Sequence, residues 1–399
     1  MAWRNVGRSR RRSFVSIGAM TFALWVLLQY SGLIQGYMSA MENNILDLAF
    51  GDIQITALSW QDDPSLYSRI VEPGPIVEKL EAEGYRASAR LLGAGLGAAG
   101  DAASGIMLVG LDVKRDATTG SLHTAVDQGA WLDETKPEEV VIGRRLARTL
   151  NLGVGDELVV LSQAADGSIA NDLYQIRGIM LGVKEGLDRR GVWMTEAAFR
   201  ELMAVATGAH QIIVRRPKGS ELAAATAKVR ALAPGVDVKN WRELMPELAS
   251  MFDTQKGAIW IMFIIVYIVI GILLLNTMLM AVFERVRELG VLKALGASPG
   301  TVLRLILTEC GIQVGIAIGV GTLLALPGLY YLSTTGIDMM GGANMSFGGI
   351  AFNSIWKAEI NATTFSGPII MLIIVVFLAV LYPAFKAAMI KPVEAMRHY

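Results

Sequence analysis

Cysteine is almost absent. The single Cys310 lies in an apolar stretch, so no disulfide can form within the chain. Histidine is nearly as scarce: His123, His210 and His398 are scattered along the sequence. No His/Cys cluster has metal-ligand spacing and no H-E-x-x-H occurs, which leaves no sequence basis for a metal site. No G-x-x-x-x-G-K-[ST] occurs either, so these residues hold no phosphate loop of their own. Neither charge is in surplus. The 36 basic and 36 acidic residues cancel, which removes the electrostatic footprint of a nucleic-acid binder.

What the chain has is apolar sequence. Hydrophobic residues make up 53% of its 399 positions, above the usual share for a soluble domain, while charged residues still reach 18%. Both hold if apolar runs and a soluble domain share one chain. Four runs are long enough to cross a bilayer, which takes about 20 residues. They are 14–38, 258–282, 302–332 and 367–390. The first is longer than a signal-peptide core of about 7–15 residues and reads as a retained span.

Lysine and arginine set the expected orientation. Arg4, Arg8, Arg10, Arg11 and Arg12 precede the first span. Arg285, Arg287, Lys293 and Arg304 surround the 283–301 connection, and Lys386, Lys391 and Arg397 mark the end of the fourth span. The 333–366 connection has only Lys357. The N-terminus (1–13), the 283–301 connection and the tail (391–399) are therefore expected inside, and 39–257 and 333–366 outside. The fold class is membrane α-helical with four transmembrane helices, N-in/C-in. A large extracytoplasmic mixed α/β domain is inserted between helices 1 and 2.

In 39–257, short β-branched runs bounded by turn residues predict strands at Asp52–Thr56, Ile106–Leu111, Glu139–Ile142, Glu157–Ser162, Tyr174–Met180, Gly191–Met194, Gln211–Arg215 and Val236–Lys239. Helices are expected at 75–84, 143–151, 195–205, 219–232 and 241–255. Gly167 marks a turn between two strands. Gly95-Leu-Gly97-Ala-Ala-Gly100 fits a dinucleotide fingerprint, but a strand follows it where that motif needs a helix, so a glycine-rich β-turn region is expected. Gly296-Ala-Ser298-Pro-Gly300 fits a nucleophile elbow without a preceding strand or a base. Ser298 reads instead as a helix N-cap, with Pro299 as the first helical residue. Asn361-Ala-Thr363 is a chance-level glycosylation sequon. No catalytic residue and no metal ligand is assigned. Gly311, Gly315 and Gly319 repeat every four residues, which suits close helix packing within the subunit or across a dimer.

The segment Ala281–Gly300 is the most informative. On a helix, Val282, Phe283, Val286 and Leu289 share one face, and Glu284, Arg285, Arg287 and Glu288 the other. Gly290 offers a bend, and Leu292 and Leu295 restart an apolar edge beside Lys293. Such a ridge suits docking into a partner's groove; an amphipathic turn on the lipid surface fits the same pattern.

The run Glu284-Arg-Val-Arg-Glu-Leu-Gly-Val-Leu-Lys-Ala-Leu-Gly-Ala-Ser298 resembles the signature between the second and third membrane helices of the MacB/FtsX/LolC-LolE permease superfamily. Ala2–Arg12, Val141–Asp156 with Tyr174–Gly178, and Tyr382–Arg397 are similar to that superfamily's start, outer domain and ending. The resemblance implies an ABC permease subunit in the bacterial inner (cytoplasmic) membrane. It implies a second permease subunit, identical or paralogous, and a dimer of separate ATPase subunits that bind the ATP and Mg. Glu284, Arg285, Arg287, Glu288, Leu289, Leu292, Lys293 and Leu295 would couple to the ATPase, and motion would pass to the outer domain by mechanotransmission.

Three branches of the superfamily compete. A LolC/LolE-like lipoprotein releaser, handing cargo to a periplasmic carrier, fits the layout best, and Gly51–Thr56 resembles it. A MacB-like exporter often carries its ATPase ahead of the first helix, where only about a dozen residues stand here. An FtsX-like transmitter controlling a cell-wall hydrolase usually has a smaller outer domain. No proline-bearing hook is visible around Ala164–Asp172, where a LolC-type carrier hook is sought. An acyl chain from a lipoprotein or other hydrophobic cargo is expected beside Leu33, Tyr37, Met41, Met262, Phe263 and Tyr267.

Overall fold

The structure, a computed structural model, describes residues 10–46, 50–58, 60, 63–180, 185–217, 219–338, 345–347, 350–352 and 355–389. The basic start (1–9), the ending (390–399) and most of the glycine-rich run at 341–349 lie outside the described residues. The chain divides into two units.

The first unit comprises 1–39, 251–342 and 355–399. Its framework is four long helices: α1 (Arg10–Ile45), α9 (Pro246–Glu284), α11 (Pro299–Thr334) and α12 (Ala362–Met389). Each carries a window apolar enough for a bilayer span, with mean hydropathy from 1.6 to 3.1. All four outrun the roughly 20 residues a bilayer needs, so their ends project beyond its apolar layer. The shared core takes Leu24 and Leu28 from α1, Phe263 and Tyr267 from α9, Ala317 and Ala325 from α11, and Leu372 and Val376 from α12. The outward faces keep large apolar residues exposed, Ile265, Val269, Leu323 and Phe377 among them, as lipid requires.

Glycines set how closely these helices approach, but not those the sequence pattern selects. A methyl group at Gly36 would lie 2.0 Å from the Lys357 carbonyl oxygen, and one at Gly32 would lie 2.5 Å from Leu329. Gly321 sits against Leu24, and Gly328 against Gln29, whose amide donates to the Ala325 carbonyl at 3.0 Å. A methyl group added at Gly311, Gly315 or Gly319 would meet no other part of the described subunit within 4 Å. Of the two roles expected for that triplet, packing within the subunit or across a dimer, these open faces leave the second.

The second unit comprises 40–250 and 343–354. Among its described residues the main sheet has ten strands: β1 (Ile53–Thr56), β2 (Arg86–Ala99), β3 (Ala102–Leu111), β4 (Val126–Gly129), β5 (Glu139–Gly143), β6 (Glu157–Gln163), β7 (Ile169–Met180), β8 (Gly191–Thr195), β9 (Gln211–Arg215) and β10 (Asp237–Asn240). The order is β10-β1-β9-β2-β3-β8-β5-β7-β4, and β6 pairs with both β7 and β2. That double pairing closes β2, β3, β8, β5, β7 and β6 into a barrel.

Inside the barrel, Leu108, Ile142, Val160, Ile176 and Met194 pack with Phe199 of α6 (Glu196–Leu202) and Leu146 of α4 (Arg144–Leu150). A second core under β1, β9 and β10 is covered by α2 (Pro73–Ala82) and α7 (Leu222–Leu232). Two shorter helices complete the unit's first connections, α3 (Val113–Thr119) and α5 (Glu185–Arg190).

The sequence reading misses β2, because its Gly93, Gly95 and Gly97 argue against a strand. The strand needs them. Its first half pairs with β9 (86–90) and its second half with β6 (96–98), so it must bend between two partners. A methyl group at Gly95 would lie 2.6 Å from the Leu161 carbonyl oxygen of β6. The expected turn region is thereby corrected to a hairpin whose turn is confined to Gly100 and Asp101.

The helix expected at 241–255 breaks at Met245, just ahead of Pro246. A short α8 (Trp241–Leu244), closed by an Asn240–Glu243 capping box, precedes α9. At the base of the unit, Asp52 accepts from the Arg216 backbone N–H at 3.0 Å and pairs with both Arg215 and Arg216. The Trp241 N–H donates to the Asp52 carbonyl at 3.1 Å. Two basic side chains and a positive φ at Gly51 thus fix the point where the chain enters the sheet.

Candidate functional site

The candidate site is the turn between α9 and α11. The chain breaks at Arg285, not at the expected Gly290, and helix α10 (Val286–Ala294) follows. Gly290 lies buried within α10. The helix ends where Gly296 takes φ +96, with its N–H on the Lys293 carbonyl and the Ala297 N–H on the Leu292 carbonyl. This pair of bonds is the Schellman closure, which satisfies the last carbonyls of a helix. Ser298 then caps α11 by accepting from the Thr301 N–H, with Pro299 at the first helical position. Both capping roles agree with the sequence reading.

Three of the residues assigned to coupling turn inward. Arg285 donates from Nη1 to both carboxylate oxygens of Glu309 on α11, at 3.1 and 3.2 Å. Lys293 donates to the Ala388 carbonyl at the end of α12, at 2.7 Å. Leu289 is buried with Val282, Val302 and Ala387. These contacts clamp α10 to α11 and α12. A narrow cleft of about 70 Å³, lined by Met278, Glu288, Leu292 and Glu309 among others, lies beside the clamp.

The outward face is different. Glu284, Arg287, Glu288, Val291 and Leu295 are exposed, Leu295 at 81%. Arg287, Val291 and Leu295 follow at four-residue spacing, so they form one ridge. The face assignment made from sequence is thus corrected for two residues. Arg285 leaves the charged outer face for Glu309, and Phe283, 55% exposed, leaves the buried face and lies under Lys386 at 4.8 Å. Glu309 and Val291 are missed by the sequence reading. An acid inside an apolar span is the available signal for the first, and its spacing from Arg287 and Leu295 for the second.

The residues expected to line an acyl-chain cavity take different places in the fold. Tyr267 is fully buried and its hydroxyl donates to the Pro368 carbonyl; Phe263 packs edge-on against Tyr30. Both are bundle core, which corrects their expected place on a cavity wall. Tyr37 stacks on Trp356 at 3.9 Å, Leu33 is half-buried, and Met262 faces outward at 41% exposure. Met41 is buried in the second unit. The sequon is also absorbed: Asn361 accepts from the Thr364 N–H at 2.8 Å, at the start of α12.

In the second unit, His210 and Glu139 are held by local hydrogen bonds. His210 accepts from the Leu92 N–H at Nδ1 and faces the Leu66 carbonyl through Nε2, which fixes the Nε2–H tautomer. Burial pushes its pKa down to about 4. Burial acts to raise the pKa of Glu139, but hydrogen bonds from Lys136 and Arg177 outweigh it and hold the carboxyl below the usual range. Among the described residues no cluster of His, Cys, Asp and Glu is arranged to hold a metal ion.

Comparison with known proteins gives two family matches. Residues 260–392 match the FtsX-like permease C-terminal domain, and residues 13–232 match the MacB-like periplasmic core domain. A lipoprotein-releasing system transmembrane protein LolC from Xylella fastidiosa is 24% identical over 289 residues, which is 67% of each chain. A macrolide export ATP-binding/permease protein MacB from Bdellovibrio bacteriovorus is 32% identical over 173 residues, 41% of this chain and 22% of that one. The crystal structure of the periplasmic region of MacB from Actinobacillus actinomycetemcomitans aligns with 52% of this chain and 91% of its own, at 12% identity and a TM-score of 0.36.

Proposed function

We propose, from the premise that this chain belongs to the family of MacB-like and FtsX-like ABC transporter permeases, that α10 is the element through which a separate ATPase drives it. The observation that carries this reading is the two-sided build of α10. Arg285 and Lys293 fasten it to α11 and α12, while Arg287, Val291 and Leu295 stand outward. A partner's groove gripping the outer ridge therefore moves the ends of two membrane helices together. Closure of an ATPase dimer on ATP and Mg supplies the two states, and α10 is the lever between them. In this arrangement the termini and α10 are cytoplasmic, the second unit is periplasmic, and two permease subunits share one ATPase dimer in the inner membrane.

For the work done, we favour release of lipoproteins from the membrane to a periplasmic carrier. Its support is the LolC relative, which aligns over two thirds of both chains. Export driven from the periplasmic side is the second reading. The MacB-like core match favours it, and so does the β6–β7 hairpin, which closes tightly through Ala164 and Ser168 with no projecting hook. The test is gentle purification from native membrane followed by mass spectrometry of everything that stays bound. An ATPase with lipoproteins or a lipoprotein carrier supports release. An ATPase with an outer-membrane conduit moves the assignment to export, and one with a cell-wall hydrolase moves it to signalling. The absence of any ATPase across repeated mild detergents would overturn the role given to α10.

A further inference from the structure

The second unit carries a cavity of about 380 Å³ against the outer face of the barrel. Register places its floor on one side of the sheet. Leu92 pairs with Val109, Ala94 with Met107, and Val109 with Trp193, so these side chains share a face of β2, β3 and β8. The same face continues through Arg90 opposite Gln211, and through Ile213 to Gln54 on β1. The floor therefore runs from amide and guanidinium groups at β1 and β9 to apolar side chains at β3 and β8. Helix α5 contributes Leu187 and Arg190 to the wall.

The charge of this cavity is one-sided. Among the described residues its lining includes two arginines and two glutamines and no carboxylate. Arg90 is buried and its charge is balanced by Asp116 at 2.8 Å, so it acts as a fixed hydrogen-bonding wall. Arg190 is exposed and brings a second positive charge to the wall. Small-molecule sites are concave and mostly apolar, with a few placed polar groups, and their volumes begin near 300 Å³. Exposed Ala94 and half-buried Leu92 and Met107 leave apolar surface open to an occupant, and a thioether adapts to a variable chain.

We infer that this face of the second unit is a binding site for a small amphiphile with a flexible apolar chain and a single anionic head, the head lying at Arg190 and the chain along Leu92, Ala94 and Met107. The inference rests on the fold of the second unit alone and stands or falls apart from the role of α10.

The test uses the full chain in phosphatidylcholine nanodiscs and a photoactivatable octanoate, with the matching uncharged octanol as control. Adducts are mapped by peptide mass spectrometry. Adducts are expected within 86–111 and 185–195, competed by unlabelled octanoate. Ala94→Trp, which fills the cavity from an exposed position, should lower them at least fivefold. Arg190→Glu, on the surface and without a packing role, should lower octanoate adducts at least threefold and leave octanol adducts unchanged. Adducts confined to the membrane helices, or strand adducts indifferent to both substitutions, would overturn the site. Melting curves of both variants show that the fold is kept.

Discussion

At the scale of single residues, α10 separates two kinds of charge. Glu284, Arg287 and Glu288 are exposed, whereas Arg285 is committed to Glu309. Charge reversal at Glu284, Arg287 or Glu288, or Leu295→Asp, should lower permease-stimulated ATP hydrolysis at least fivefold without changing membrane insertion. Unchanged stimulation in all four would remove α10 from the coupling path. Arg285→Glu should instead destabilise the first unit by about 1.5–3 kcal/mol, the range for hydrogen bonds to charged groups. The double exchange R285E/E309R should restore most of that loss, as a thermal-shift series in detergent would show.

His210 makes a pH prediction. Its folded pKa, about 4, lies below the ordinary 6.5, so the unfolded chain takes up the proton first as pH falls. Its contribution is whole above pH 6.5 and is lost as pH drops towards 4, at a slope of up to about 1.4 kcal/mol per pH unit. Melting at pH 7 and pH 5 should show the decline, and His210→Gln should flatten it.

At the scale of elements, glycine spacing and glycine packing part company. Gly36→Ala should cost about 1–3 kcal/mol by overpacking, because its methyl group meets the Lys357 backbone. Gly315→Ala meets nothing in the subunit and should be neutral or slightly stabilising, since alanine favours a helix by about 1 kcal/mol. Equal losses in a thermal-shift comparison would refute the contrast.

The difference also marks what sequence can reveal. The four long helices were legible, because spanning a bilayer fixes length and composition together. So were most strands of the second unit, whose β-branched runs end at turn residues. The bent strand β2 was not, because its glycines serve a crossing with β6 that no local pattern announces. Nor were the inward turns of Arg285 and Phe283, which depend on Glu309 and Lys386 from other helices. Candidate cavity residues Phe263 and Tyr267 were misjudged for a related reason: an apolar side chain in a membrane helix looks the same in sequence whether it lines a cleft or fills a core.

At the scale of the molecule, the main sheet receives the chain at β1 and releases it at β10. These strands pair antiparallel, Ile53 opposite Asn240, and Asp52 ties the pair to Arg215 and Arg216. Asp52→Ala should cost about 3–5 kcal/mol, because it leaves two partly buried arginines without their shared carboxylate. ATPase binding should survive while transport falls, which a copurification assay beside a transport assay would distinguish. Loss of ATPase binding would instead mean that the root is needed for assembly.

The neighbouring placement of β1 and β10 has a practical corollary. A sheet whose first and last strands are hydrogen-bonded partners takes in and gives out its chain at one edge. Chimaeras that join a different sheet of the same edge pairing at Asp52 and Trp241 should therefore express as single, folded proteins.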